Sequence, residues 1–345
     1  MAPRRPPRPL VTAVIAARDA GRWVGGALGS LCAQTLGDLE VVAVDDGSTD
    51  GTWEAIRGAA RADRRIRPLR SGTGRGQAAA LNAGLAAARG RYLAILDADD
   101  EAVPDRLALQ VRALERDPRL VLVGGAVRTW CGRHEAGGRV WRYAAGDAAI
   151  RARTLFKSEF ISGAMTFDLA RFRPGRLRFD ERVRVGADWA ASIAAMREGR
   201  VANLRDVVLR YRIHPGQMTA GMVDDLDSDG ARIRARLLAW AGVRPTRDEL
   251  RTHLAVSPCA YWPYGSHPWF RARRATVREE AARWLARLVA GCARTGRVPA
   301  GALRAYAAGI QRRIDRCLRE PEAAVAAPPC PVSAPRRCLA GDPCR

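Results

Sequence analysis

Four apolar runs recur along the first hundred residues: LVTAVIA (10–16), LEVVAVD (39–45), IRPL (66–69) and YLAIL (92–96). They lie about 25–30 residues apart, the repeat of a strand–helix–strand unit. Each is short and nearly continuous in apolar character, the signature of a strand buried on both faces. Between them the apolar positions follow a helical period. Trp23, Leu28 and Leu31 share one side of a segment that ends at Gln34. A second helix is predicted after Asp50, a candidate N-cap, and carries Trp53 and Ile56. The third, QAAALNAGLAAA (77–88), is almost all helix formers and stops at Gly90. This alternation predicts an α/β fold with a mostly parallel sheet flanked by helices.

A helix over 104–115 and a strand LVLVGG (120–125) extend that pattern. From Val127 to Met222 the texture is irregular, with FISGAMTF (160–167) the expected strand and 189–198 an expected helix. Beyond Asp224, Arg/Ala-rich helices are predicted over 231–241, 277–293 and 301–319, and the Pro/Ala-rich stretch from Glu322 is expected to be disordered. Four regions follow: a flexible leader (1–8), the α/β domain (9–222), a helical basic region (223–321) and the tail (322–345).

Two strands end in acids. LEVVAVD runs into DDGSTDGT (45–52), and YLAIL runs into DADD (97–100). In open parallel sheets, ligands bind at the carboxyl ends of the strands. Crowded carboxylates repel one another unless a cation or hydrogen-bond donors neutralise them. A hard ion such as Mg²⁺ or Mn²⁺ does so with one or two protein carboxylates and a substrate diphosphate. A helix N-cap ahead of Pro104 accounts for Asp99 or Asp100 alone, not for three acids beside a second cluster.

The stretch VTAVIAARDAGRWVGGALGSLCAQTLGDLEVVAVDDGSTDGT, followed by GQAAALNAGLAAARGRYLAILDADD, closely resembles the nucleotide-binding half of the family 2 glycosyltransferases of GT-A fold. Five pieces agree in order and spacing, and the resemblance covers roughly residues 9–215. It implies an inverting sugar transferase that uses a nucleoside-diphosphate sugar (UDP- or dTDP-sugar favoured) and Mn²⁺ or Mg²⁺. By that resemblance Ala16, Arg18 and Asp19 lie under the nucleobase and ribose, and Asp46 accepts a hydrogen bond from a base N–H. Gly76 and Asn82 fall where the third helix faces the nucleotide. Asp97, Ala98 and Asp99 bracket ribose and metal, with Asp100 as a further metal or sugar contact.

The first loop reads AARD where the family usually has Pro-x-Tyr-Asn, a departure that bears on the choice of nucleotide. LRFDERVRVGADWAASIAAMREGRV resembles the stretch in which an FDE turn leads to the catalytic base, here Asp188, although Ala187 replaces the usual neighbouring acid. An inverting transfer needs one base to take the acceptor's proton. A plain N-cap at Asp188 is the competing reading. VVLRYRIHPGQMT (207–219) is similar to the segment after that helix, and Arg212 and His214 are expected to reach the diphosphate. Ser162, Gly163 and Met165 are expected on the acceptor side. GTGRGQ (72–77) lacks dinucleotide-fingerprint spacing and reads as the loop before the third helix.

Charge adds a second surface. The chain of 345 residues has net charge +22 and one lysine, Lys157, among its 58 basic residues, a bias that codon usage also produces. From Gly230 onward, 22 arginines face 8 acids. Such a surface suits phosphate-bearing partners, and a peripheral membrane contact is expected rather than nucleic acid. The acceptor is a glycan, a lipid-linked saccharide or a small molecule. No apolar run reaches membrane-spanning length and the leader has no signal-peptide core, so a cytoplasmic location, up to the inner face of the membrane, is expected. Eight scattered cysteines match no metal or disulfide template. Tyr261, Trp262, Tyr264, Trp269 and Phe270 read either as a sugar- or lipid-facing cluster or as packing under the last helices.

Two other classes compete with the transferase. A sugar-nucleotide pyrophosphorylase needs a Gly-rich basic loop after the first strand, which IAARDAGRW lacks. A non-catalytic polyanion-binding protein leaves the acids at 97–100 and 188 without a task.

Overall fold

The structure is a computed structural model. It describes residues 8–72, 74–131, 138–214, 216–217, 223–257 and 268–319, with 223–228 and 268–269 by backbone alone. The tail and Tyr261, Trp262 and Tyr264 lie outside the described residues, as does all of the leader but Arg8. The chain forms two compact units. One comprises Met1–Ala145 and Phe160–Arg212; the other comprises Gly146–Glu159 and Ile213–Arg345. Residues 146–159 group with the C-terminal helices.

The first unit is built on a sheet of nine strands among the described residues. In chain order they are β1 (Val11–Ala17), β2 (Leu39–Asp45), β3 (Ile66–Arg70), β4 (Tyr92–Asp97), β5 (Glu101–Ala102), β6 (Leu120–Trp130), β7 (Val140–Trp141), β8 (Thr166–Asp168) and β9 (Arg200–Arg212). The lateral order is β3-β2-β1-β4-β8-β6-β9-β5, with β7 beside β6. The four predicted strands β1 to β4 are mutually parallel. β8 is antiparallel to both neighbours, and β9 returns parallel to β6. The result is the expected mixed, mostly parallel sheet.

Helices α1 (Val24–Cys32), α2 (Thr52–Ala62), α3 (Gln77–Ala87), α4 (Arg106–Arg116) and α6 (Ala187–Glu198) belong to this unit. Ile15, Leu28, Leu31, Ile56, Leu96 and Leu107 are almost fully buried in its core. Burial of such side chains stabilises by about 1.5–3 kcal/mol each. The motif glycine Gly84 brings α3 down onto β1, because a Cβ there would stand 2.3 Å from Val14 Cγ1.

Two expectations change. FISGAMTF is mostly a turn: Ser162–Ala164 is a short 3₁₀ helix, and strand begins only at Thr166. The Ser162 hydroxyl and the Gly163 N–H are drawn to Asp97 instead of a ladder partner. Asp50 is not the N-cap of α2, a position Gly51 holds. Its carboxylate instead accepts from Thr52 N and Gly21 N, each at 2.9 Å, tying two loops together.

In the second unit lie α5 (Asp147–Thr154), α7 (Val223–Trp240), α8 (Arg247–Val256), α9 (Pro268–Ala272), α10 (Val277–Thr295) and α11 (Ala300–Arg319). The sequence reading missed α8, although its start carries a reciprocal capping box between Thr246 and Glu249. His253 on α8 is fully buried and stacks on Phe156. It accepts from Trp284 Nε1 at 3.1 Å, so its Nε2 carries the proton toward Leu155 O at 2.9 Å. Burial, helped by the Arg234 charge, holds this imidazole neutral, down to about 3. Among the described residues, no helix is long and apolar enough to cross a membrane.

Gly84→Ala is expected to lower the melting temperature. Overpacking against Val14 costs about 1–3 kcal/mol, against a helix-propensity gain of about 1 kcal/mol. Thermal unfolding followed by circular dichroism measures it, and an unchanged or higher midpoint would contradict the close contact.

Candidate active site

Strand register brings the two acid clusters together. Ala16 near the end of β1 is paired with Val44 on one side and Asp97 on the other, so β1 separates the DDGSTD and DADD turns by one strand. The loop after β1 is sewn to the DDGSTD turn by its backbone. Asp19 adopts a left-handed φ of 47°. Its carboxylate accepts from Thr49 N at 2.8 Å while its own N–H donates to Ser48 Oγ at 3.0 Å. Arg18 is exposed and donates to Gly74 O at 3.1 Å, joining the loop after β1 to the loop ahead of α3.

Asp46 is buried, and both of its oxygens are engaged. Oδ1 accepts from Ser71 Oγ at 2.6 Å and Arg75 N at 3.2 Å, and Oδ2 accepts from Gly76 N at 2.7 Å. In the structure it thus anchors the loop ahead of α3 rather than offering a free acceptor. Gly76 turns the chain into α3 at φ 97° and ψ 168°, a conformation suited to glycine.

Asn82 also faces elsewhere than expected. Its amide makes both hydrogen bonds to the Phe179 backbone, each at 2.9 Å, and a third to Glu181 Oε1 at 2.9 Å. It therefore locks the FDE turn that leads to Asp188.

The DADD turn carries the densest charge. Asp97 Oδ1 accepts from Gln77 Nε2 and Ser162 Oγ, each at 3.1 Å, and Oδ2 accepts from Gly163 N at 3.0 Å. Ser162 and Gly163, expected toward the acceptor, thus hold the first acid. Ala98 is buried in the core beneath the turn. Asp100 points inward: Oδ1 takes Arg212 N at 2.8 Å, and the buried Oδ2 has no hydrogen-bond partner. A Cβ on Gly163 would stand 3.1 Å from Asp97 Oδ2 and 3.2 Å from Asp100 Oδ2, so the two carboxylates converge on one point.

Arg212, expected at the diphosphate, is held by the turn itself. Its guanidinium donates to Asp99 O at 2.8 Å and to Glu101 at 3.3 Å. It lies between the indoles of Trp130 and Trp23, 3.7 and 4.4 Å from their centroids. His214 falls in the second unit, where its N–H donates to Gln217 Oε1 at 3.2 Å.

Asp188 lies in the first turn of α6, behind Gly186 as N-cap, so it is not itself the cap. Burial raises its carboxyl to about 6. Asp97 is raised to about 7, first by burial, then by the Asp99 charge, and also by Asp188. The last contribution requires Asp188 to lie within electrostatic reach of the DADD turn. Asp100 is raised by burial and by Asp99 and Asp97.

Among the described residues no three acids, histidines or cysteines gather closely enough to hold a metal by themselves. The available donors are nonetheless hard oxygens, one of them an orphaned buried carboxylate oxygen. That set fits a divalent ion sharing its remaining positions with a diphosphate. Sequence reasoning missed Gln77, Arg106 and Gln110, which support this turn from α3 and α4. Gln77 alone had a signal, its place at the start of α3 beside the motif glycine.

Asn82→Ala is expected to lower kcat by about tenfold or more with little change in donor KM, because unpartnered backbone groups at Phe179 cost about 1–3 kcal/mol and loosen the approach to Asp188. Steady-state kinetics decide it. A raised KM with unchanged kcat would mean that Asn82 touches the donor instead.

The Glycosyl transferase family 2 profile matches residues 12–167. A succinoglycan biosynthesis protein of Rhizobium meliloti is 32% identical over 246 residues, covering 68% of this chain and 69% of that protein. Among solved structures, Staphylococcus aureus TarS in complex with UDP-GlcNAc aligns over 90% of this chain and 92% of its own, at TM-score 0.59 and 15% identity. A mannosyltransferase from Pyrobaculum calidifontis, in complex with GDP-Man and Mn²⁺, aligns over 91% of this chain and 87% of its own, at TM-score 0.52 and 23% identity. The two structures share the GT-A architecture seen here. With the acid turns of β2 and β4 flanking β1 in that sheet, and a relative this extensive, the chain belongs to the family 2 glycosyltransferases.

Proposed function

We propose that the protein transfers a sugar from a nucleoside-diphosphate sugar to an acceptor hydroxyl with inversion, in the synthesis of a bacterial surface glycan or lipid-linked saccharide. The observation that carries the reading is the pairing of a converged carboxylate turn, Asp97 to Asp100, with one separate carboxyl at the start of α6, Asp188, within its electrostatic reach. Inversion needs one base on the acceptor side and stabilisation of the leaving group on the other, and this arrangement supplies one group for each.

Asp188 accepts the proton of the attacking hydroxyl at its carboxylate. Its surroundings raise its affinity for a proton without preventing ionisation at neutral pH. Asp97 and Asp99 would hold a divalent ion, Mn²⁺ or Mg²⁺, which when bound supplies positive charge to the departing diphosphate. Ser162, Gly163 and Gln77 keep Asp97 oriented, and Arg212 keeps Asp99 and Asp100 in the turn. Arg18, Ser71 and Gly76 would line the nucleobase's entry, with UDP or dTDP favoured. The relative in succinoglycan synthesis supports a polysaccharide or lipid-linked acceptor.

Consumption of a panel of nucleotide sugars with Mn²⁺ tests the reading. Asp188→Ala is expected to lose about 10²–10⁴-fold in turnover, and Asp99→Ala at least as much as a tenfold loss in kcat/KM. Turnover with both variants equal to wild type, or no donor consumed, would sink the proposal. Because the base acts deprotonated, turnover should fall as pH drops through about 6, the value to which burial raises Asp188. A rate flat from pH 5 to 8 speaks against that base. Chelation by EDTA should abolish turnover and Mn²⁺ restore it.

A further inference from the structure

Beneath the DADD turn lies a cation that the proposed chemistry does not use. Arg106 opens α4 and is fully buried. Its Nη2 donates to Ile95 O at 2.7 Å and Met165 O at 3.3 Å, and its Nε to Gln110 Oε1 at 3.1 Å. Nη1 is buried without a hydrogen-bond partner. Ile95 precedes Asp97 by two residues on β4. Met165 follows Gly163, whose N–H holds Asp97 Oδ2, by two. One guanidinium therefore straps together the two backbone segments that converge on the acid pair. Gln110 extends the strap to Ala164 O at 2.7 Å and Thr166 Oγ1 at 2.7 Å.

Neutral amides would make the same straps. A buried guanidinium instead carries a desolvation penalty that hydrogen bonds and nearby negative charge together must offset. Among the described residues no carboxylate lies within ion-pair distance of Arg106; its direct partners are two carbonyls and an amide. Burial brings the guanidinium down to about 10, and Asp97 and Asp100 act against that, so it remains charged at neutral pH. These are the same two carboxylates whose oxygens converge at Gly163. The protein's own acids do not complete a metal site among the described residues.

Resting on the metal-assisted transfer proposed above, we infer that Arg106 is a resident counter-cation of the Asp97–Asp100 pair. It holds the acids together when the cleft contains no divalent ion. It also weakens their hold on a bare ion, so that tight metal binding waits for the oxygens of a diphosphate. Arg106 touches no reacting atom and acts as a positioning residue through the two aspartates. A strap without an electrostatic role would behave oppositely on removal. Losing a strap loosens the site and weakens metal binding, whereas losing a repelling charge strengthens it.

Free Mn²⁺ is titrated by electron paramagnetic resonance against the full chain at pH 8, with and without UDP, in wild type, Arg106→Lys and Arg106→Gln. Circular dichroism checks the fold of each. Arg106→Gln is expected to bind nucleotide-free Mn²⁺ roughly tenfold tighter than wild type at low salt. Arg106→Lys should stay near wild type, and UDP should narrow the difference. Gln110→Glu, which pairs the guanidinium with a carboxylate, serves as a second variant and should shift binding the same way. Folded Arg106→Gln or Gln110→Glu that binds bare Mn²⁺ no tighter than wild type overturns the inference, while Mn²⁺-dependent donor turnover by wild type leaves the transfer reading standing. Wild type that binds no Mn²⁺ even with UDP overturns both.

Discussion

Repulsion among carboxylates crowded at one edge of the sheet is the constraint around which the first unit is organised. Asp97, Asp99 and Asp100 fall within four consecutive positions at the end of a strand whose interior is wholly apolar. Low dielectric magnifies their mutual repulsion and disfavours their ionised forms, and burial accordingly raises Asp97 and Asp100. The surrounding elements answer with donors: a glutamine from α3, a hydroxyl and a backbone N–H from the 162–163 turn, and a backbone N–H from β9. Each comes from a segment distant in sequence, so holding the acids also fastens the sheet's two halves together. A site that stays negative after these donors are counted is one that attracts cations.

A second set of acids does different work with the same chemistry. Asp19, Asp46 and Asp50 accept backbone N–H groups from neighbouring loops, closing the edge of the sheet into a continuous wall. Their charge is absorbed by fixed dipoles, and they shape the cleft instead of gripping a mobile ion. Composition alone does not separate the two sets, because both are runs of aspartate after an apolar strand. Geometry does: the wall acids face backbone amides, whereas the Asp100 oxygen left unpaired is buried against Gly163.

The parallel core was legible because a strand buried on both faces has an unmistakable apolar run, and β1, β2 and β4 are buried where those runs lie; β3 falls on its run too, but at the sheet's edge, with only Ile66 fully buried. The acid turns were legible for the same reason, as polar residues standing where a core strand should end. Asn82 was read toward the nucleotide because helical position shows a residue's face but not which neighbour fills it, and the FDE turn arrives from nearly a hundred residues away. Arg106 was invisible: in RLALQVRAL an arginine at a helix start reads as a solvated charge, and only tertiary contact buries it. FISGAMTF misled because its apolar content suits a strand while its hydrogen bonds go to Asp97. Thr246 and Glu249 carried a plain helix-start signal that the arginine-rich texture obscured. β9 was hidden likewise, since five of its thirteen residues are charged.

Anomalous scattering from crystals of the protein grown with Mn²⁺ and UDP tests the central claim most directly. The account requires a manganese peak between the UDP phosphates and the carboxylates of Asp97 and Asp99, with the Asp188 carboxylate facing the open side of the same cleft. Bound UDP with no manganese beside that turn, or Asp188 turned away from the cleft, contradicts it.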